Sequence, residues 1–265
     1  MRLGILGLGN MGEAIVGAIL KAGFDRKDLV GFEVKKERAQ AVAKKYGLKM
    51  AASAKNLVQE AQYVLIAVKP QDARDLLPAI APAVGTEKIL VSIMAGTTTV
   101  NILSMVAKPV KVIRVMPNIC VKVAEGALGV AANDLVSQEE LKEAVAMLSP
   151  LGRVVEVRED LMDAITALSG SGPAFVLLFL EAMIDAGVKM GLPRDKASTL
   201  ATQTLKGTIL MLEAEELHPT IMKEMITSPG GTTIAGLSHM EEKGFKGTVI
   251  KAVQEARKRA KELSG

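Results

Sequence analysis

The sequence predicts an α/β chain in two parts: a doubly wound, mostly parallel-sheet domain over residues 1–160 and an all-helical domain over residues 161–265. Three observations carry that expectation. Short apolar runs of strand length alternate with helix-like stretches through the first part, as strand–helix–strand units require. The first run, Arg2-Leu3-Gly4-Ile5-Leu6, passes directly into Gly7-Leu8-Gly9-Asn10-Met11-Gly12 and then into a helical pattern over 13–20. From about Leu161 onward no strand pattern recurs.

Strand, Gly-x-Gly-x-x-Gly and helix together form a Rossmann-like dinucleotide-binding arrangement. Gly7 permits the tight turn, Gly9 lets backbone approach a pyrophosphate, and Gly12 lets the helix pack closely on the strand. The pyrophosphate would sit on the free N–H groups that open the helix. Leu8, Asn10 and Met11 belong to the same turn. A second strand, Leu29 to Glu33, ends in an acid near the offset at which a carboxylate accepts ribose hydroxyls. Lys35, Lys36 and Arg38 follow at once and are placed to hold a 2′-phosphate instead, so NAD and NADP both stay open.

Residues 37–46 read as a helix, and Ser53-Ala54-Lys55-Asn56 opens another. The continuous apolar run Tyr63 to Val68 suits a parallel strand covered on both faces, and it leaves the sheet at Lys69-Pro70-Gln71. Strands over 88–93 and 110–115 end in Met94-Ala95-Gly96 and Met116-Pro117-Asn118. Three strand ends in small or Pro-bearing turns favour a lined cleft at the carboxyl edge of the sheet. Strands over 126–131 and 153–157 flank a helix over 138–148.

The second part begins with a helix over 163–190 that carries Gly170-Ser171-Gly172-Pro173 in its first turns. There Pro173 removes one N–H donor and is placed to bend the helix. Gly191 caps that helix, and Pro193 starts the next, over 193–213. Further helices are expected over 219–226, 232–242 and 245–263. The apolar run 174–180 is broken by Glu181 and Asp185, short of the roughly 20 apolar residues of a membrane span, and reads as a core or interface helix. These helices carry more apolar faces than a domain of about 100 residues buries alone, which predicts a dimer or larger.

Composition narrows the function. Hydrophobic residues make up 49% and charged residues 23%, as in ordinary globular chains. Aromatics are 3% and Trp is absent, which argues against stacking platforms for nucleic acid. The net charge of +4 is dispersed, and its main basic cluster, over 251–261, is interleaved with acids as on a solvated helix face. One cysteine, Cys120, excludes an intrachain disulfide and a Cys-based metal cluster, and it points to a reducing, cytoplasmic compartment. The N-terminus reads as a core strand rather than a leader.

Between two helices lies Thr227-Ser228-Pro229-Gly230-Gly231-Thr232-Thr233. Its hydroxyls lie beside the free N–H groups and positive dipole end of the following helix, a combination suited to a carboxylate. His218 and His239 are the only histidines, and His218 before Pro219 suits a capping role. No metal-ligand spacing, nucleophile elbow or Walker loop is present. Hydride transfer to an already electrophilic substrate demands little side-chain acid–base chemistry, and an imine fits best.

The Gly7–Gly12 turn, Ala67-Val68-Lys69-Pro70-Gln71, residues 114–118, residues 168–175 and residues 228–233 together resemble the pyrroline-5-carboxylate reductase family, in its order and over essentially the whole chain. The resemblance implies reduction of L-1-pyrroline-5-carboxylate to L-proline with NADPH or NADH. It also implies a helical domain interlocked with a second subunit, and a ring of such dimers. By the same similarity Ser228, Gly230, Gly231, Thr232 and Thr233 bind the substrate carboxylate and imine region. Thr233 lies nearest the imine nitrogen, and Glu216 contributes to the pocket. Asn56, Val68, Lys69, Pro70, Ala95 and Asn118 line the cofactor, beside Ala67, Glu33 and Lys35.

Many NADPH-using members have an arginine directly after the residue that ends the second strand; here Glu33 is followed by Val34. The rival β-hydroxyacid dehydrogenases carry a catalytic lysine shortly after the interdomain glycines. Here no lysine occurs between Pro173 and Lys189. A non-catalytic nucleotide sensor would not be expected to keep the Ser228–Thr233 turn intact.

Overall fold

The computed structural model describes residues 2–264. They form two compact units: one runs to Ser171 and takes in the chain from Ala256 onward, and the other is Gly172–Glu255.

The first unit is built on β1 (Leu3–Leu6), α1 (Asn10–Lys21), β2 (Leu29–Phe32), α2 (Lys36–Tyr46), β3 (Lys49–Met50), α3 (Ala54–Glu60), β4 (Tyr63–Ile66), α4 (Pro70–Ile80), β5 (Ile89–Ser92), α5 (Thr99–Val106), β6 (Lys111–Met116), β7 (Gly126–Ala132), α6 (Gln138–Leu148) and β8 (Gly152–Glu156). The strands make one sheet in the order β3-β2-β1-β4-β5-β6-β7-β8. β1 to β6 are parallel, β7 pairs antiparallel with β6, and β8 returns parallel to β7. The strand order reverses between β1 and β4, the place where open sheets of this kind hold ligands.

Side chains alternate across the strands, so the sheet has a core on each face. Leu3, Ile5, Tyr63, Leu65, Ile89 and Val91 pack with Ile15, Val16 and Ile19 of α1. Leu6, Val64, Ile66 and Leu90 pack on the other face with Leu57, Val58, Leu77 and Ile102. Caps fix where the helices start. Ser53 and Thr98 accept the N–H of Asn56 and Asn101, and Ser137 forms a capping box with Glu140.

Several elements differ from the sequence expectation. Pro70 is the first residue of α4 rather than part of a simple exit turn, a position where its missing N–H has no cost. The expected helix over 163–190 is interrupted: α7 (Met162–Ile165) runs into a π-helical turn over Thr166–Gly170, and α8 spans Gly172–Lys189. Pro193 caps the next helix from outside it.

The expectation that this apolar stretch falls short of a membrane span is corrected. With the preceding turns, the stretch Glu159–Lys189 contains an 18-residue segment of mean hydropathy 1.6, long and apolar enough to cross a membrane by length and composition alone.

The second unit is helical throughout its described elements: α8, α9 (Arg194–Glu215), α10 (Pro219–Met225), α11 (Thr232–Glu242) and the first half of α12 (Phe245–Ser264). Gly187 gives α8 and α9 their close approach, since a Cβ there would lie 2.9 Å from that of Ala197. Phe179 and Phe245 meet at a ring separation of 5.8 Å.

Candidate functional site

The glycine turn after β1 shows three different reasons for glycine. Gly7 has φ +92°, where an L side chain is strained, and its N–H donates to the Phe32 carbonyl. A Cβ on Gly12 would lie 2.1 Å from the Gly7 carbonyl oxygen, so only glycine lets α1 start this close to the strand. A Cβ on Gly9 would meet nothing within 4 Å. Gly9 is also the residue before α1, and no side chain caps that helix. The N-terminal N–H groups and positive dipole of α1 are thus open on the side where Gly9 carries no side chain, as a pyrophosphate requires.

Beside this turn lies a groove of about 380 Å³. It brings together Gly7, Gly9, Glu33, Lys35, Ala67, Val68 and Lys69 from the expected set. Sequence reasoning gave no lining role to Val34, Asp72 or Leu76, and it placed Arg38, with Lys35 and Lys36, to hold a 2′-phosphate. Asp72 and Leu76 come from α4, whose helical pattern the sequence reading passed over. Leu8, Asn10, Met11, Gly12 and Pro70 shape the surrounding turns without lining the groove.

Glu33 is held by two backbone donors: the Leu8 N–H at 2.9 Å on one oxygen and the Lys35 N–H at 3.0 Å on the other. Arg38 is engaged with other groups. Its Nε donates to the Leu8 carbonyl at 2.8 Å, and its guanidinium pairs with Glu13. Lys45 also donates to Glu13, at 2.8 Å. The hydrogen bond from Lys45, together with the Arg38 charge, holds the Glu13 carboxyl below its ordinary range against the opposing effect of burial.

Asn56, Ala95 and Asn118 lie outside this groove. Asn56 sits in the first turn of α3, where its N–H donates to Ser53. Ala95 is exposed in the loop beyond β5. Asn118 is buried and heavily engaged. Its oxygen accepts from the Cys120 and Ala127 N–H groups, and its amide donates to the Ser169 carbonyl. In this structure the Asn118 side chain ties the β6 exit to the π-helical turn.

A second cluster went unread in the sequence. Glu159 accepts from the Thr99 N–H at 2.7 Å, from the Thr99 hydroxyl and from Arg114 at 3.0 Å, and Arg114 is 5% exposed. Burial pushes the Glu159 carboxyl up, and these donors outweigh it and hold it below its ordinary value. Among the described residues no group of three or more His, Cys, Asp and Glu is placed to hold a metal ion.

In the helical unit, the turn before α11 is closed by the Gly231 N–H donating to the Ser228 carbonyl at 3.1 Å. Gly230 has φ +66°, and a Cβ on Gly231 would lie 2.4 Å from the Ser228 hydroxyl oxygen. Thr232 and Thr233 open α11, and Gly231 ahead of them supplies no side-chain cap. Ser228, Gly230 and Thr232 are exposed and Thr233 is half-buried, so donors and hydroxyls meet at one accessible helix start. Glu216 ends α9 in a left-handed conformation, φ +50°, unusual for a side-chain-bearing residue. His218 caps α10 through Nδ1, which accepts the Thr220 N–H at 3.3 Å, matching the capping role expected of it.

Known proteins resemble the whole chain. The family model described as pyrroline-5-carboxylate reductase dimerisation matches residues 159–263. A model described as NADP oxidoreductase, coenzyme F420-dependent, matches residues 2–96. A pyrroline-5-carboxylate reductase of Methanosarcina acetivorans is 37% identical over 99% of this chain and 97% of its own length. A solved pyrroline-5-carboxylate reductase structure from Coxiella burnetii superposes with a TM-score of 0.96 at 30% identity, covering 100% of this chain and 98% of the other. The Plasmodium falciparum pyrroline carboxylate reductase, solved with NADP bound, is 34% identical with a TM-score of 0.88, covering 100% and 98%.

Proposed function

The chain belongs to the pyrroline-5-carboxylate reductase family, and from that premise we propose how its own residues divide the work. It reduces L-1-pyrroline-5-carboxylate to L-proline with NADH or NADPH. The cofactor, when bound, supplies the hydride that the imine carbon accepts. The observation that carries our assignment of its place is the open direction at Gly9 beside an uncapped helix start.

The α1 N–H groups hold the pyrophosphate, and Glu33 faces the adenosine ribose. Ala67, Val68 and Lys69 form the opposite wall of the same groove. Asn56, Pro70, Ala95 and Asn118 belong to the outer shell of the cofactor site, with Asn118 acting through the loops it holds. The opening N–H groups of α11 and the hydroxyls of Ser228 and Thr232 bind the substrate carboxylate, and Gly230 and Gly231 give that turn its shape. The Thr233 hydroxyl contacts the imine nitrogen, which orients the ring for hydride attack. Glu216 borders the same pocket.

The exposed apolar faces of α8 and α9 support a homodimer through residues 161–265, and we propose that dimers join further into a ring. The single, free Cys120 supports a cytoplasmic setting.

The test is oxidation of NADH or NADPH, followed by absorbance, with pyrroline-5-carboxylate as substrate and proline identified as product. Turnover is expected. Cofactor binding without turnover would overturn the substrate assignment, and turnover unaffected by Thr233→Ala would overturn the role given to Thr233.

A further inference from the structure

We infer that Glu33 makes this enzyme prefer NADH, by occupying with a fixed carboxylate the place that the 2′-phosphate of NADPH would need. The inference rests on the cofactor groove proposed above and deepens it. The sequence alone left the question balanced between Glu33 and the basic residues that follow it. The structure distributes those groups unequally.

Glu33 is anchored from both oxygens, to the Leu8 and Lys35 N–H groups. An ionised carboxylate has about four acceptor positions, so roughly two remain for the 2′- and 3′-hydroxyls of a ribose. The anchoring also prevents the acid from swinging aside. A 2′-phosphate would bring about −1.5 to −2 charges against it.

Of the cations next to Glu33 in the chain, Arg38 and Lys35 are placed unfavourably to offset this repulsion. Arg38 reaches the groove, but its Nε serves the Leu8 carbonyl and its guanidinium is paired with Glu13. Recruiting it would break both contacts and leave the half-buried Glu13 with Lys45 as its remaining ion-pair partner. The residue directly after the acid is Val34, 78% exposed and part of the groove wall. It offers an apolar surface to an adenine ring and no donor to a phosphate. Lys35 is exposed at the start of α2 and fixed there by its backbone rather than its ammonium. A solvent-screened lysine offsets less charge than a close guanidinium fork supplies.

The test is equilibrium binding, read from the fluorescence of the reduced nicotinamide, with NADH and NADPH titrated separately into the full-length enzyme. NADH is expected to bind at least about tenfold more tightly than NADPH at moderate salt. Glu33→Gln, checked for an unchanged melting temperature, is expected to bring the two dissociation constants within roughly threefold, mainly through tighter NADPH binding. In a second measurement that needs no variant, 2′,5′-ADP should displace NADH less effectively than 5′-ADP. Equal or tighter binding of NADPH by the unmodified enzyme would overturn the preference while leaving the groove assignment standing. Binding of neither cofactor would overturn the groove assignment and the preference together.

Discussion

Leu3, Ile5, Leu65 and Val91 of the sheet unit are at most 1% exposed, whereas Leu177, Leu178, Ile209 and Leu210 of the helical unit are between 52% and 67% exposed. Both sets are of similar hydrophobicity and both lie on regular elements. The difference is that the sheet has helices on each face and the helices have few neighbours of their own. Within Gly172–Glu255 the buried apolar side chains are Ala197, Ala201 and Met222, too few for an independent core. One unit is completed by its own chain; the other is completed by a second copy, consistent with the dimerisation model that covers it.

That contrast can be broken or sharpened by experiment. The largest effect is expected from Leu65→Ala, which opens a cavity at the centre of the sheet and should cost about 2–5 kcal/mol in denaturant unfolding, independent of protein concentration. Leu178→Asp should instead leave the sheet unit intact and weaken self-association by about 2–4 kcal/mol, seen as monomer in sedimentation at micromolar concentration. A concentration-independent loss of stability there would place Leu178 in a core of its own chain. Thr233→Ala should cut kcat/KM by roughly 10- to 100-fold, the loss of one hydrogen bond of about 1.5–3 kcal/mol, with NADH affinity unchanged. Equal loss of cofactor affinity would mean that the two units do not divide the chemistry as proposed.

Ser137→Ala removes the α6 capping box and should cost about 1 kcal/mol, confined to the sheet unit's unfolding transition. The smallest effect concerns pH. Because the Glu159 carboxyl is depressed in the folded chain, its contribution is complete above the ordinary glutamate value of about 4.5. It is lost as pH falls through the lowered folded value. Glu159→Gln should therefore flatten the acid limb of the sheet unit's stability and leave pH 7 to 8 behaviour parallel to the unmodified protein.

Much of this organisation was legible in the residues. Gly7, Gly9 and Gly12 announced the phosphate turn because each spacing has a separate steric cause; the structure shows the left-handed turn at Gly7, the close helix start at Gly12 and an unobstructed direction at Gly9. The Ser228–Thr233 turn was legible because Pro229 and two glycines stop one helix just where hydroxyls open the next. What escaped was mostly short or locally ambiguous. β3 has two residues, too few for any period. α4 carries Pro78 in its interior, and α5 is eight residues with β-branched Thr99, Val100 and Ile102, so local propensity argued against helices that sheet packing enforces. The antiparallel placement of β7 is a matter of long-range pairing that an apolar run does not encode. The Arg114–Glu159–Thr99 cluster joins residues up to 60 positions apart, and no local pattern marks it. The choice between Glu33 and its basic neighbours also depended on where Arg38 points, which sequence spacing does not fix.

The sheet's two outer strands have a consequence for solubility. At one edge β3 has only two residues and carries Lys49; at the other, β8 sets Arg153 and Glu156 around the exposed Val155. Short, charged borders offer a poor template for strand addition by another chain. Stacking of sheets into fibrils is thus discouraged at both ends. The apolar helices are left as the main sticky surface, so the protein's route to clumping and its route to correct pairing run through the same residues. Mutation that separates the copies would expose that surface, and clumping at high concentration would be expected to run through it rather than through the sheet.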